Sequence, residues 1–265
     1  MPNKIVFDIE TQKTFGEVGG LQSNHHLLGV SFVGVYSYQQ NKYFGFLEKD
    51  LPALETILLK EKPLMIGFNN KGFDNKVLQP YFKRLNLDEL KYLDILEEIY
   101  KNLGFRLKLE SVAQATISEG KSGTGLDAIR YYKERDFDSL AKYCLDDVRV
   151  TKNVYEYGLA QGVLHYYAGG IKTKIPIPWG VPPVIEQKII NAYTKHQRLK
   201  IKYFSVDEKG VKEESERKID ILKIEGDKLT AFCHLKEKQR EFLMPQILAA
   251  EPTTETYAHQ SALFA

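Results

Sequence analysis

A chain of 265 residues with 37 basic and 35 acidic side chains, a net charge of +2, lacks the balance of a strongly basic nucleic-acid binder. With two cysteines it is not a disulfide-stapled scaffold, and no apolar run approaches membrane-spanning length, so no membrane partner is expected. The length accommodates two modest domains, and a first strand so close to the N-terminus leaves no room for a signal peptide, so a cytoplasmic protein is expected.

Lys4-Ile5-Val6-Phe7-Asp8-Ile9-Glu10-Thr11 reads as a buried strand interrupted by two acids. Side chains alternate along a strand, so Asp8 and Glu10 emerge from one face. Two buried carboxylates repel each other and are costly to desolvate; a divalent cation between them is the simplest remedy. The alternative is that both acids lie on an exposed face. His25-His26 offers no metal-ligand spacing and reads as surface or core-edge residues.

Gly29 to Tyr38 and Lys42 to Leu47 extend the first strand into an antiparallel meander, and Leu51 to Lys60 reads as a crossover helix. Pro63 to Phe68 is a second buried strand, followed by the loop Asn69-Asn70-Lys71-Gly72 and a helix opening at Phe73-Asp74. That helix is expected to carry Val77, Leu78, Tyr81, Phe82 and Leu85 inward. Asp74 sits where a strand ends and a helix begins, a usual edge for sites in such sheets, or else serves as a helix N-cap.

Asp94 to Leu103, Leu109 to Ile117 and Leu126 to Glu134 read as helices, and Tyr131 and Tyr132 as core aromatics, the alternative being rings that stack on bases. Glu119 to Gly125 is a glycine-rich loop without the order of a P-loop. In the helix around Leu140 to Thr151, Tyr143 and Asp147 are four apart and share a face that continues through Val150 and Val154. Asp146 instead lines up with Lys142, Arg149 and Asn153 on a solvated face. Cys144 and Cys233 read as reduced core residues.

After Gly162 the composition changes. Residues 169 to 183 hold three glycines and four prolines and read as a linker. A helix from Val184 to Gln197 and four short strands, Lys200 to Ser205, Arg217 to Ile224, Lys228 to Leu235 and Arg240 to Met244, follow. Lys188, Lys195, Arg198, Lys200 and Lys202 form a run without acids that would guide a nucleic-acid strand.

Phe7-Asp8-Ile9-Glu10-Thr11, Asn70-Lys71-Gly72-Phe73-Asp74 and Tyr143-Cys144-Leu145-Asp146-Asp147 resemble, in order and separation, the three motifs of the DEDD superfamily of 3′-5′ exonucleases in its tyrosine-bearing branch. The resemblance implies an α/β fold, with a ribonuclease-H-like mixed sheet flanked by helices over residues 1–165. It implies stepwise release of nucleoside monophosphates from single-stranded 3′ ends of DNA or RNA. Asp8 would bridge two Mg²⁺ or Mn²⁺ ions, Glu10 and Asp147 would help hold the one that activates water, and Asp74 the other. Tyr143 would orient the water. Apart from the resemblance, Asn70 and Phe73 are expected to touch nucleic acid, Phe73 by stacking on a base or else packing in the core. Four carboxylates with no nearby Cys or His cluster make an all-oxygen site, which suits such ions.

Leu199 to Tyr203, Arg217-Lys218-Ile219, Leu229 to Leu235 and Arg240-Glu241-Phe242 are similar to a WYL domain, a small SH3-like barrel, although Lys228-Leu229-Thr230 stands where the naming tripeptide would be. The expected plan is therefore an exonuclease domain over 1–165, a linker over 166–183, a β-rich barrel over 184–250 and a tail over 251–265. That resemblance implies a nucleic-acid or nucleotide ligand at the barrel, with Arg217 and Arg240 as its anion contacts. The competing functional expectation is a nucleic-acid-binding regulator whose nuclease-like domain is inactive.

Overall fold

The computed structural model describes residues 3–120, 123–179, 183–206, 212–226 and 228–258. The chain divides into two compact units, Met1–Glu98 with Arg106–Tyr155, and Ile99–Phe105 with Glu156–Ala265. The division falls inside a helix and ahead of the boundary expected near residue 165.

The first unit is α/β. Strands β1 (Lys4–Thr11), β2 (Val30–Ser37) and β3 (Lys42–Leu47) precede helix α1 (Leu51–Glu61) and strand β4 (Leu64–Gly67). Helix α2 (Asp74–Leu78), strand β5 (Lys91–Asp94) and helices α3 (Ile95–Leu103), α4 (Leu109–Ile117), α5 (Gly125–Glu134) and α6 (Phe137–Gln161) complete it, the ends of α3 and α6 entering the second unit. The sheet order is β3-β2-β1-β4-β5, a mixed sheet in which β1 pairs antiparallel with β2 and parallel with β4.

Both faces of β1 are covered, which removes the exposed-face alternative. Ile5, Phe7 and Ile9 join one core with Val33, Val35, Leu54, Leu58 and Met65. Glu10 pairs with Phe32, which belongs to a separate cluster with Ala128, Leu140, Tyr143 and Cys144 of α5 and α6. The two acids thus lie on the α5/α6 side, as alternation along a strand requires.

Two elements differ from the sequence-based expectation. The helix opening at Asp74 ends at Leu78 and tightens into a 3₁₀ turn over Gln79–Tyr81, because Pro80 cannot continue an α-helix. Asp94 closes strand β5 rather than opening a helix; the strand pairs parallel with β4.

In the second unit, β6 (Val163–Ala168) and β7 (Ile171–Pro176) form a hairpin where a linker was expected. Gly169 and Gly170, both at positive φ (56° and 82°), supply its tight turn. Helix α7 (Pro183–Thr194) and strands β8 (Gln197–Val206), β9 (Lys212–Glu225), β10 (Lys228–Cys233), β11 (Lys238–Leu243) and β12 (Ile247–Thr256) follow. The antiparallel order β11-β10-β9-β8-β12 leaves β11 and β12 as edges, so the hydrogen bonding is that of an open sheet rather than a closed barrel. β12 carries ordered structure to Thr256, into what composition suggests is a tail, because Ile247 and Ala250 are drawn into a core with Leu199, Ile219 and Leu229. No described helix is long and apolar enough to cross a membrane.

Candidate metal-dependent nuclease site

Asp8 and Glu10 project from β1, and their carboxylate oxygens lie with the Cys144 sulfur in a group whose ligand atoms are all within 4.8 Å of one another. Glu10 is buried. Helix α6 can come this close because position 34 of the facing strand is glycine. Gly34 stands opposite Asp8, and a Cβ there would lie 3.0 Å from both Cys144 Sγ and Val148 Cγ2. The Cys144 thiol donates to the Asp8 backbone carbonyl at 3.6 Å and fastens the helix to the strand.

One turn of α6 then delivers Tyr143 and Asp147, both buried, on the face that sequence spacing identifies. Asp146 points away and pairs with Arg149 at 2.9 Å, and Arg149 also binds Glu119 at 2.5 Å. The negative charge on this side is concentrated. Burial, then Asp147, Glu10 and Asp8, push the Tyr143 phenol well above its ordinary value, so it is a neutral hydroxyl. That hydroxyl has no hydrogen-bond partner among the described residues. Gly123, from the glycine-rich loop, sits against the Tyr143 ring, where a Cβ would be 3.2 Å from Cε2.

The middle one of the three motifs lies between β4 and α2. The Asn70 side chain is fully buried, fills the space beside Gly67 at the end of β4, and donates from Nδ2 to the Phe7 carbonyl at 3.3 Å. Asn70, expected to touch nucleic acid, has no exposed surface in this structure and pins the loop to β1. Asp94 holds the same loop from the other side, accepting from Asn69 N at 2.8 Å and Lys71 N at 3.1 Å as well as from Leu96 N. Asp74 follows as the first, buried residue of α2. Phe73 packs edge-on against Phe15 and His25 and, with Glu10, Thr14 and Ile129, lines a cleft of about 290 Å³.

The donor set fits a hard divalent cation. Carboxylate oxygens suit ions of the magnesium and manganese kind, and their mutual repulsion is what such an ion relieves. Cys144 corrects the expectation that no cysteine is near. Its thiol is completely buried and its pKa is raised by burial and by Asp8, Glu10 and Asp147, which keeps it protonated and a poor ligand for a hard ion.

Sequence reasoning missed Gly34, Cys144 and Asp94 as positioning residues. The signal for Gly34 was a glycine inside a strand otherwise rich in β-branched and aromatic residues, which marks close backbone approach.

In the second unit Arg217 lies on β9 and is buried, with Nε donating to Ser215 Oγ at 3.0 Å and the guanidinium 5.8 Å from the Tyr203 ring. It has no carboxylate partner among the described residues. Arg240 is exposed on β11 and, like Arg217, acts electrostatically on Tyr203. The cationic run on β8 is not free of acids in space: Arg198 pairs with Asp220, Lys200 with Glu216 and Lys202 with Glu214.

Residues 5–158 match the family model of the RNase H superfamily. Among solved structures the chain is similar to Escherichia coli exonuclease I in complex with a dT13 oligonucleotide, at 11% identity over 88% of this chain and 55% of that one, TM-score 0.42. It is similar to a product-bound exonuclease I at 9% identity over 93% and 64%, TM-score 0.37, and to proteasome accessory factor B/C of Arthrobacter aurescens at 21% identity over 60% and 22%, TM-score 0.25. The chain therefore spans less than two thirds of the length of these neighbours. A search of curated proteins returns no match.

Proposed function

Because the chain belongs to the RNase H superfamily, we propose that it is a metal-dependent 3′-5′ exonuclease of the DEDD type, tyrosine-bearing branch, that releases nucleoside monophosphates from single-stranded ends. The observation that carries the reading is the convergence of Asp8 and Glu10 beneath the face of α6 that bears Tyr143 and Asp147.

Asp8, Glu10, Asp147 and Asp74 would hold two Mg²⁺ or Mn²⁺ ions, which when bound lower the pKa of water and stabilise charge on the phosphate. Tyr143, a neutral hydroxyl without a protein partner among the described residues, can hold the attacking water by a hydrogen bond but cannot take its proton. Phe73, edge-packed and beside Glu10, offers a ring against which the terminal base can rest.

For the second unit the reading is a WYL-like domain that binds a nucleotide or nucleic-acid anion. A buried guanidinium with no carboxylate partner among the described residues, with a second arginine, Arg240, also acting on Tyr203, supports it, since buried charges are normally paired. The test of the whole proposal is incubation of 5′-labelled single strands with Mg²⁺ or Mn²⁺. A ladder shrinking from the 3′ end, with mononucleotide products and no cutting of circular strands, is expected. Tight binding without any metal-dependent product would return the inactive regulator.

A further inference from the structure

Beyond the carboxylates, the first unit contains a larger cavity, about 710 Å³, lined by His25, His26, Lys71, Asn75 and Lys76 among others, with Asp88 as its acid. It is one aromatic ring away from the cleft at Glu10. The His25 ring, which lines the cavity, packs 5.5 Å from the Phe73 ring, which lines the cleft.

The lining has an unspent positive charge. Lys71 is engaged by Glu97 at 2.7 Å, but Lys76 is exposed and has no carboxylate partner among the described residues; His26 beside it is exposed and offers a ring N–H as a further donor. The buried Asn75 amide also lines the cavity; neither its oxygen nor its nitrogen makes a well-formed hydrogen bond, although the Tyr92 hydroxyl lies beside it. A buried amide in that condition is costly unless something else meets it. The volume is that of a small-ligand site, and most of the side chains lining it are polar, Lys76 among them.

We propose that this cavity is the backbone track for the nucleotides immediately upstream of the scissile bond. Lys76 and His26 contact phosphates of the strand, and the edge-packed Phe15, His25 and Phe73 rings form the step over which it passes from the cavity to the carboxylates. The assignment rests on the nuclease reading of the carboxylate site and extends it from the reacting phosphate to the strand behind it. Contacts of this kind fix register without reading sequence, so the track accepts any base.

The experiment is fluorescence anisotropy of 5′-labelled single strands of two, four and eight nucleotides with Ca²⁺ in place of Mg²⁺, over a range of salt. Wild type is expected to bind the four-nucleotide strand more tightly than the two-nucleotide one. Lys76→Glu and His26→Glu are each expected to weaken binding about tenfold, equally for oligo-dT and oligo-dA, and Lys76→Glu to lower the salt slope by about one, with Lys76→Arg close to wild type. Lys76 and His26 are exposed, so the variants should fold, and matching melting curves with Lys76→Ala as a second variant check this. Unchanged affinity and slope in Lys76→Glu, while wild type binds and degrades the same strands, would overturn the track and leave the nuclease intact. A wild type that neither binds nor degrades would overturn both.

Discussion

Gly34 stands opposite Asp8 in the β1–β2 ladder, and the hydrogen it carries in place of a side chain is what lets α6 lie on the strand. Replacing it with alanine forces a methyl group to 3.0 Å from Cys144 Sγ and Val148 Cγ2. Gly34→Ala is expected to cost about 1–3 kcal/mol of stability by overpacking, and to reduce nuclease turnover even where the protein is fully folded. Adding Cys144→Ala should recover part of both losses. Denaturant titration and turnover of the two single variants and the double variant measure the coupling, and strict additivity would contradict it.

Asp147 and its neighbour Asp146 differ only in helix face. Asp147→Asn is expected to reduce metal-dependent activity roughly a hundredfold or more, as removal of a cation ligand does, and Asp8→Asn likewise. Asp146→Asn breaks only a partly exposed pair with Arg149 and should change turnover less than about threefold. End-labelled single strands with Mn²⁺ provide the measurement. Equal losses at 146 and 147 would refute the orientation argument.

If the hydroxyl orients the attacking water as proposed, Tyr143→Phe should lower turnover about tenfold to a hundredfold. With its pKa raised above 10, the phenol keeps its proton as pH rises through the physiological range. The ratio of wild-type to Tyr143→Phe rates is therefore expected to stay flat between pH 6 and about 9. A ratio that climbs tenfold per pH unit would identify a base instead.

The buried Glu55 carboxylate of α1 accepts from Arg84 N at 2.5 Å, Leu85 N at 3.0 Å and Arg84 Nε at 3.3 Å. Burial alone would raise its pKa, but these donors outweigh it and the result is below the ordinary value. A lowered folded-state pKa contributes stability that is present above the unfolded value near 4.5 and lost as pH falls through the folded one. Glu55→Gln should thus destabilise by about 1–2 kcal/mol at pH 7 and by progressively less on acidification below pH 4.5. Urea melts at pH 7 and pH 3 check the sign.

Arg240→Ala and Arg217→Met address the second unit. Each is expected to weaken binding of nucleotides or oligonucleotides to that unit severalfold, and Arg217→Met, which keeps the volume under Tyr203, should do so without unfolding the sheet. Isothermal titration with nucleoside mono-, di- and triphosphates and short strands reads the effect; unchanged affinity for all of them would make the sheet a passive scaffold.

The elements that carry strong periodicity were legible in the sequence. Alternation placed Asp8 and Glu10 on one face of β1, and four-residue spacing separated Asp147 from Asp146 on α6; both follow from geometry that tertiary contacts do not alter. β5 and β12 were not legible. β5 is four residues long, and β12 carries Pro252 and a polar end, so neither has the pattern of an independent strand. The burial of Asn70 was not legible, because a polar residue in a loop usually faces solvent, whereas here the missing side chain of Gly67 opens a niche that only the fold creates. The cations of β8 read as an unopposed run because their partners Glu214, Glu216 and Asp220 are on the next strand, out of sight of any one-dimensional window.

Asp94 clasps two backbones at once, the Asn69–Lys71 loop that leads into Asp74 and the first turn of α3. The consequence concerns tolerance to inheritance and design alike. The loop's length and shape are dictated by a residue more than twenty positions downstream, so insertions between Asn69 and Phe73 would be rejected however polar they were. A shortened or neutral side chain at 94 would loosen Asp74 without touching any group that meets the substrate.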